Sequence, residues 1–353
     1  MFLKKLLLRN FRNYSSHQVD FSPAINVICG SNGVGKTNLI EAIYLLSTGR
    51  SFRSINLKDL IKDKASFFYL EAEIVIKDIS HTIKIYFDGK NKKIHLNSNE
   101  IPSFTSLLGT LCSSLITSDD FNLINGKPQI RRNFLNMHLA QETPLYVHHY
   151  LRFMKALKQR NYLLKSNKHH LLKVFDLELC KSGSFLIHRR NQFIDSLQDP
   201  LNFFLNTLFK LETNAKIKYF STVNPSLSQE EIYQHYLEEL QKNKKKESDF
   251  KTTLVGPHRD DFNIMFNKKS AKQFASEGQK KLLLFSLKFA QWQLLSNFLE
   301  QKALFLIDDF DAHLDELHKN NLKKALDNLS QVFITLPKMN EKFENANIIP
   351  INN

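Results

Sequence analysis

Hydrophobic and polar positions along the chain change period several times. Phe2 to Leu8 and Ala24 to Ile28 read as two strands, joined through the polar and aromatic corner Asn10-Phe11-Arg12-Asn13-Tyr14. Leu39, Ile40, Ile43 and Tyr44 then fall at helical spacing. Two alternating runs, Phe68 to Ile76 and His81 to Phe87, end at Asp88-Gly89 and predict antiparallel strands with a return through Lys90, Lys92 and Lys93. From residue 116 to about 250 the period is helical, as in Tyr146, Tyr150, Met154 and Leu157, without a long heptad array. Strand and turn chemistry returns at Thr253 to Asp261, a long apolar helix spans Leu282 to about Phe298, and Ala303 to Ile307 reads as a buried strand. These elements predict an α/β chain: a head formed by 1–115 and 251–353 around a mixed sheet, with a mainly helical second domain, 116–250, inserted into it.

Candidate chemistry sits at the junctions. Gly30, Gly35, Lys36 and Thr37 satisfy G-x-x-x-x-G-K-[ST], between the apolar run of Ile25, Val27 and Ile28 and a helix. Glycines at 30, 33 and 35 let backbone N–H groups turn inward around a polyphosphate, and the helix start adds its positive end. The loop Gly30, Ser31, Asn32, Gly33, Val34, Gly35, Lys36 and Thr37 is therefore the candidate ATP cradle, with Lys36 reaching the β and γ phosphates and the Thr37 hydroxyl ligating Mg²⁺. Arg12 is close enough in sequence to fold back over a nucleotide. Asp308-Asp309, at the end of the buried strand, stands where a Walker B carboxylate holds the Mg²⁺ shell. Ser276 and Gln279 fit a capping box opening the long helix, whose free N–H groups form a second anion site. His258-Arg259-Asp260 imitates a piece of a kinase catalytic loop, but neither a kinase glycine loop nor D-F-G accompanies it.

Composition adds a partner. The 353 residues carry 49 Lys and Arg against 35 Asp and Glu, a formal charge of +14, which points to a polyanion such as nucleic acid. Basic residues concentrate in the helical region: Arg131, Arg132, Lys155, Lys158, Arg160, Lys165, Lys168, Lys173, Arg189, Arg190 and the run Lys242 to Lys246, which reads as a solvated loop. Cys29, Cys112 and Cys180 lie far apart among apolar neighbours and read as buried thiols in a reducing compartment. The three leucines between Lys5 and Arg9 are too few for a signal segment, and no run approaches a membrane span, so a cytoplasmic protein without membrane contact is expected.

The chain resembles the ABC-type P-loop ATPase heads of the SMC and recombination class, and more closely the RecF family of bacterial recombination mediators. The motifs carrying this are Asn10 to Tyr14, Gly30 to Thr37, Arg131 to Leu135, Gln159-Arg160-Asn161, Gly256 to Asp261, Ser276 to Gln279, Leu306 to Asp309 and Gln331 to Thr335. The resemblance implies an ATP-dependent homodimer on double-stranded DNA at gapped or stalled replication sites, acting in DNA repair and the SOS response with other recombination mediator proteins. By position it implies that Asp308 holds Mg²⁺ and that Asp309 orients or activates the attacking water, with Lys36 as the second catalytic residue. Ser276, Gly278 and Gln279 would form a signature motif meeting the γ-phosphate on the other subunit, and Asp315 would lie in a loop crossing the interface. Lys280, Asn136 and Ala312 stand where the family usually has arginine, aspartate and serine, and Thr117-Ser118-Asp119 replaces a proline-containing segment. Hydrolysis is expected to be slow and to act as a switch. Two alternatives share the motifs: a scaffold that uses ATP only to dimerise, and a transporter nucleotide-binding subunit. The latter is disfavoured by the long, basic stretch between Lys36 and Ser276.

Overall fold

A computed structural model describes residues 1–209, 214–310, 316–337, 343 and 346–351. The chain divides into two compact units, the first made of 1–120, 203–212 and 281–353, the second of 121–202 and 213–280. Residues 251–280, expected in the head, thus belong to the second unit. Residues 116–120 and 203–212, expected in the insertion, belong to the first.

In the first unit the expected mixed sheet is realised as two sheets of opposite kind. Strands β1 (Phe2–Phe11), β2 (Tyr14–Asp20), β4 (Phe68–Ile76), β5 (Ile79–Phe87), β6 (Lys92–Leu96) and β7 (Asn99–Ile101) form an antiparallel sheet in the order β2-β1-β4-β5-β6-β7. Strands β3 (Ile25–Cys29), β8 (Ser113–Ile116), β12 (Leu304–Ile307), β13 (Val332–Leu336) and β14 (Asn347–Pro350) form a parallel one in the order β14-β3-β13-β12-β8. The patterns explain the difference. Strands β12 and β13 are buried at every position, as a sheet covered on both faces requires, whereas β4 alternates buried and half-buried residues. Tyr14 to Asp20, read as part of a connection, is a strand. Its polar residues suit an edge position, and the tight turn at Arg12-Asn13 returns it against β1.

Helix α1 (Lys36–Thr48) lies between the two sheets: Leu39, Ile40, Ile43 and Leu46 share one core with Leu6, Leu8, Leu70 and Ile85 of the antiparallel sheet and Leu304, Leu306 and Phe333 of the parallel one. The opposite face of the parallel sheet packs through Val27, Phe305, Ile307 and Ile334 against Phe285, Phe289 and Leu295 of α8 (Glu277–Leu299) and Leu322 and Leu326 of α9 (Glu316–Asp327). The Trp292 indole in this core donates to the carbonyl of Ala303 at 2.8 Å.

The second unit contains α2 (Asn122–Asn125), α3 (Pro128–Glu142), α4 (Pro144–Lys165), most of α5 (Leu172–Phe209), α6 (Gln229–Phe250) and α7 (Ala271–Phe274), with a small antiparallel sheet of β9 (Ala215–Phe220), β10 (Asp261–Phe266) and β11 (Lys269–Ser270). The lysine run 242–246 is helical, not a loop. It lies in α6, which opens on a capping box between Ser228 and Glu231. Three of the arginines counted among the basic residues of the helical region are buried in ion pairs. Arg131 grips Asp261 at 2.5 and 2.9 Å, Arg160 bonds Asp176 and Glu247 at 2.6 Å each, and Arg190 bonds Asp260 at 3.0 Å. Asn136 fits this network, its Oδ1 accepting from Tyr146 at 2.7 Å and from Arg190 at 2.9 Å. Gly256 has φ +120, and a Cβ there would lie 1.7 Å from the Tyr236 hydroxyl, so no other residue fits beside that tyrosine. Cys112 and Cys180 are buried as expected and Cys29 is half-buried; burial pushes the Cys112 thiol up to about 12. Among the described residues no helix is long and apolar enough to cross a membrane.

Candidate nucleotide site

The loop between β3 and α1 is held from outside by the β1–β2 turn. The Asn13 side-chain amide donates to the carbonyl of Val34 at 2.7 Å, the Tyr14 hydroxyl donates to that of Gly35 at 3.0 Å, and Asn38 donates to Asn13 at 2.8 Å. The packing is close enough that a Cβ on Gly35 (φ +117) would lie 2.7 Å from the Asn13 amide. Burial lifts the Tyr14 phenol to about 12, keeping it a neutral donor. Ser31, Asn32 and Gly33 form the exposed rim, and Val34 is buried beneath them. At the start of α1 no side chain caps the helix and no acidic residue lies in the first turn, so its leading N–H groups face the loop.

The carboxylate expected to bind metal, Asp308, comes within hydrogen-bond reach of Thr37. Its hydroxyl donates to Asp308 Oδ1 at 3.0 Å. The same carboxylate oxygen accepts from the Thr335 hydroxyl at 2.8 Å, and that hydroxyl in turn accepts from the backbone N–H of Asp309 at 2.7 Å. Asp309 is held at φ 63, a left-handed conformation that turns its side chain away from the path a strand would give it. Burial raises the Asp308 carboxyl above its ordinary value, against the hydrogen bonds from Thr335 and Thr37. The Lys36 ammonium, lowered chiefly by burial and raised by Asp309 and Asp308, donates to the carbonyls of Gly30 at 2.7 Å and Ser31 at 2.9 Å. Lys36, Thr37, Asp308 and Asp309 are thus brought to one place.

Arg12 lies beside this site in a network of its own. Its guanidinium donates to both oxygens of the fully buried Glu41, at 2.8 and 2.6 Å, to Ser54 at 2.7 Å and to the carbonyl of Asp59 at 2.8 Å. Arg53 donates to Asn38 at 2.7 Å, and its charge lowers the Asp308 carboxyl. Thr335, Asn13, Tyr14 and Arg53 were not singled out by sequence reasoning as parts of the site.

Ser276, Gly278 and Gln279 occupy the second unit at the head of α8. The capping box forms: Ser276 N–H donates to the Gln279 side-chain oxygen at 2.9 Å, and Gln279 N–H to the Ser276 hydroxyl at 3.2 Å. A Cβ on Gly278 would lie 3.9 Å from the Ser276 hydroxyl oxygen, an ordinary contact, and Lys280 pairs with Glu277 at 2.9 Å. Asp315 and Ala312 lie outside the described residues.

The sequence pattern of the RecF/RecN/SMC N-terminal domain matches residues 2–349. The "DNA replication and repair protein RecF" of Protochlamydia amoebophila (strain UWE25) is 39% identical over 340 residues, covering 95% of this chain and 94% of the relative. The chain belongs to the RecF family. The Bacillus cereus (strain G9842) RecF is 31% identical, with 100% of this chain and 97% of the relative covered. Among solved structures, the recombination mediator protein RecF-ATP of the RecFOR pathway superposes with a TM-score of 0.90 at 28% identity, covering 98% of this chain and 94% of that one. An Smc head from Pyrococcus furiosus shares the fold, with a TM-score of 0.54 at 16% identity over 95% of this chain and 89% of that one. The match to RecF therefore runs through both units, and the ATPase-head fold is common to the wider class.

Proposed function

We propose that this RecF-family chain is an ATP-dependent, DNA-binding protein of cytoplasmic recombination and repair, which dimerises on ATP and releases duplex DNA after slow hydrolysis. The observation that carries the reading is the Thr37 hydroxyl set on Asp308 beneath an intact phosphate loop. A RecF solved with ATP superposes on nearly the whole chain and supports it. The donor set suits Mg²⁺, because a hydroxyl and a carboxylate oxygen converge and, among the described residues, no larger cluster of metal-binding side chains competes. Bound there, Mg²⁺ would neutralise charge on the β and γ phosphates.

The chain's own residues do the rest. Loop amides and the α1 start hold the phosphates, Lys36 leaves its loop carbonyls for the β and γ oxygens, and Asp309 orients water. Outward-facing γ-phosphate oxygens need donors from elsewhere. Ser276 and the helix start behind it, contributed by a second copy, supply them, giving a two-fold dimer with two ATP molecules at its interface. Exposed lysines then track duplex phosphates at gapped or stalled replication sites, where other recombination mediators join.

Sedimentation with ATP, with ADP and without nucleotide tests this. Wild type is expected to dimerise with ATP alone, and Lys36→Met to lose ATP binding. Ser276→Arg is expected to bind ATP as a monomer and to lose dimerisation and hydrolysis together. A dimer fraction indifferent to nucleotide, or a Ser276→Arg protein that still dimerises, overturns the switch.

A further inference from the structure

The phosphate loop is anchored at its entry by a strand to which the nucleotide site assigns no other part. In the parallel sheet β14 is an edge strand and, among the described residues, pairs with β3 alone: Asn347 with Asn26, Ile348 with Val27, Ile349 with Ile28 and Pro350 with Cys29. The Asn347 side chain donates to the buried Asn26 at 3.0 Å, which pins that register. The contact runs one residue past the strand. Ile351 N–H donates to the carbonyl of Cys29 at 2.8 Å, at the last strand position before Gly30. The Ile349 and Ile351 side chains are buried in the core that also holds Val34 of the loop and Leu39, Ile40 and Ile43 of α1.

The first glycine of the loop is set by this contact. A Cβ on Gly30 would lie 2.5 Å from the Ile351 carbonyl oxygen, closer than real Cβ atoms approach, and 3.0 Å from Val34 Cγ2. The obstacles are protein atoms, so glycine is required here even with no phosphate in the loop. Gly33 differs, since a Cβ at that rim position would meet no heavy atom of the described residues within 4 Å. The Gly30 carbonyl accepts from the Lys36 ammonium at 2.7 Å, so the orientation of this peptide decides where Lys36 waits. Asn13 and Tyr14 hold the loop's exit through Val34 and Gly35. A last hydrogen bond on an edge strand needs no functional account by itself, but it does not explain a carbonyl pressed against the residue at which the chain leaves the sheet.

We infer that Ile351 is a positioning residue for the phosphate loop, its N–H and carbonyl fixing Cys29 and Gly30 so that the Gly30 carbonyl meets Lys36 and the amides beyond it turn toward a polyphosphate. It touches no phosphate itself. A loop held at both ends is ordered before the nucleotide arrives, whereas one released at its entry loses conformational freedom on binding and so binds more weakly. The effect on affinity rests on the ATP reading above; the ordering of the loop does not.

Amide hydrogen exchange of the full chain without nucleotide, paired with calorimetric ATP titration, tests it. Ile351→Pro removes the N–H that meets Cys29, and is expected to speed exchange of the amides of residues 30–36 at least about tenfold while those of α8 keep their protection. ATP affinity is expected to fall at least about tenfold, with Ile351→Val behaving like wild type in both measurements. Gly30→Ala also weakens ATP binding, but in the Ile351→Pro background it adds less than about threefold, because the carbonyl it displaces is already free to move. The inference is overturned if Ile351→Pro leaves loop exchange unchanged, if only residues 26–29 and 347–351 exchange faster, if Ile351→Val fails equally, or if the two substitutions multiply their separate losses. Should Ile351→Pro not fold, Ile351→Gly, which loosens the same backbone and removes its buried anchor, is judged by the same outcomes. If wild type binds no ATP, the functional reading falls, and loop exchange alone decides the inference.

Discussion

Asp260→Asn is expected to destabilise the second unit while leaving the nucleotide site untouched. Asp260 is fully buried, and its Oδ2 accepts from Arg190 at 3.0 Å and from the Tyr219 hydroxyl. Arg190 is 2% exposed; its remaining partners are the neutral Pro257 carbonyl at 2.6 Å, Asn136 Oδ1 at 2.9 Å and the Tyr146 hydroxyl at 3.1 Å. Asparagine keeps the shape and one acceptor but removes the only carboxylate bonded to that guanidinium among the described residues. Breaking a buried pair in this way costs about 3–5 kcal/mol, a large share of the roughly 5–15 kcal/mol that holds a domain together. For a unit of this size that corresponds to a melting point lower by roughly 10 °C. Trp292 fluorescence reports the first unit, so amide hydrogen exchange along α5 in rising urea is the assay that reads the second. Protection unchanged to within about 0.5 kcal/mol, the range of an ordinary surface substitution, would refute the reasoning.

Three further outcomes follow from the geometry. Asp308→Asn should raise the Mg²⁺ needed for ATP binding, whereas Asp309→Asn should bind ATP and dimerise but hydrolyse poorly; identical titrations and turnover in the two variants would remove their separate roles. Thr335→Val leaves the Asp309 N–H without its acceptor and frees Asp308, and should cost about 1–3 kcal/mol and weaken Mg²⁺-dependent ATP binding, with Thr335→Ser restoring both in calorimetry. His258 donates from Nε2 to the Thr253 carbonyl at 3.0 Å, its buried Nδ1 has no hydrogen-bond partner among the described residues, and burial pushes its pKa down to about 4. Because the folded value lies below the unfolded one, the unfolded chain takes up the proton first. Stability is full above about pH 6.5 and falls with pH by about 2 kcal/mol at pH 5, a loss that His258→Gln should abolish in urea titrations at the two pH values.

What the sequence disclosed depends on the range of the interaction. The phosphate loop and the carboxylates of 308 and 309 are legible because each is a short pattern whose flanking strand and helix lie within a few residues. The role of Thr335 is not, since it meets Asp308 only when β13 pairs beside β12, and although the corner Asn10 to Tyr14 is visible in the sequence, the grip of Asn13 and Tyr14 on Val34 and Gly35 is set by tertiary packing. Strand β2 was hidden by the polar run Tyr-Ser-Ser-His-Gln, an edge strand's composition and equally a loop's. The lysine run read as a loop because its charge drew more weight than the helix start well before it. The capping pair Ser228 and Glu231, followed at once by the buried Ile232, was the signal that decides it. The unit boundary was illegible for a different reason, since it falls inside α5 and inside α8, each of which runs on as one helix.

The division of labour between arginine and lysine changes how the net charge is to be understood. A planar guanidinium can satisfy several acceptors at once, so it is the cation that tolerates burial, and Arg131, Arg160 and Arg190 each hold two or more elements of the second unit together. An ammonium on a flexible stem is strongly hydrated, and Lys155, Lys158, Lys165, Lys168, Lys173 and Lys244 to Lys246 are exposed. The three buried arginines are met by four carboxylates, Asp261, Asp176, Glu247 and Asp260, so this network takes no net positive charge out of the total. The formal +14 is therefore left almost whole on the exposed residues, although the arginines that seemed to supply it are inside. A polyanion approaching the second unit meets lysines, whose point charges hold phosphates without fixing an orientation. Such a surface favours binding that depends steeply on salt and little on base sequence.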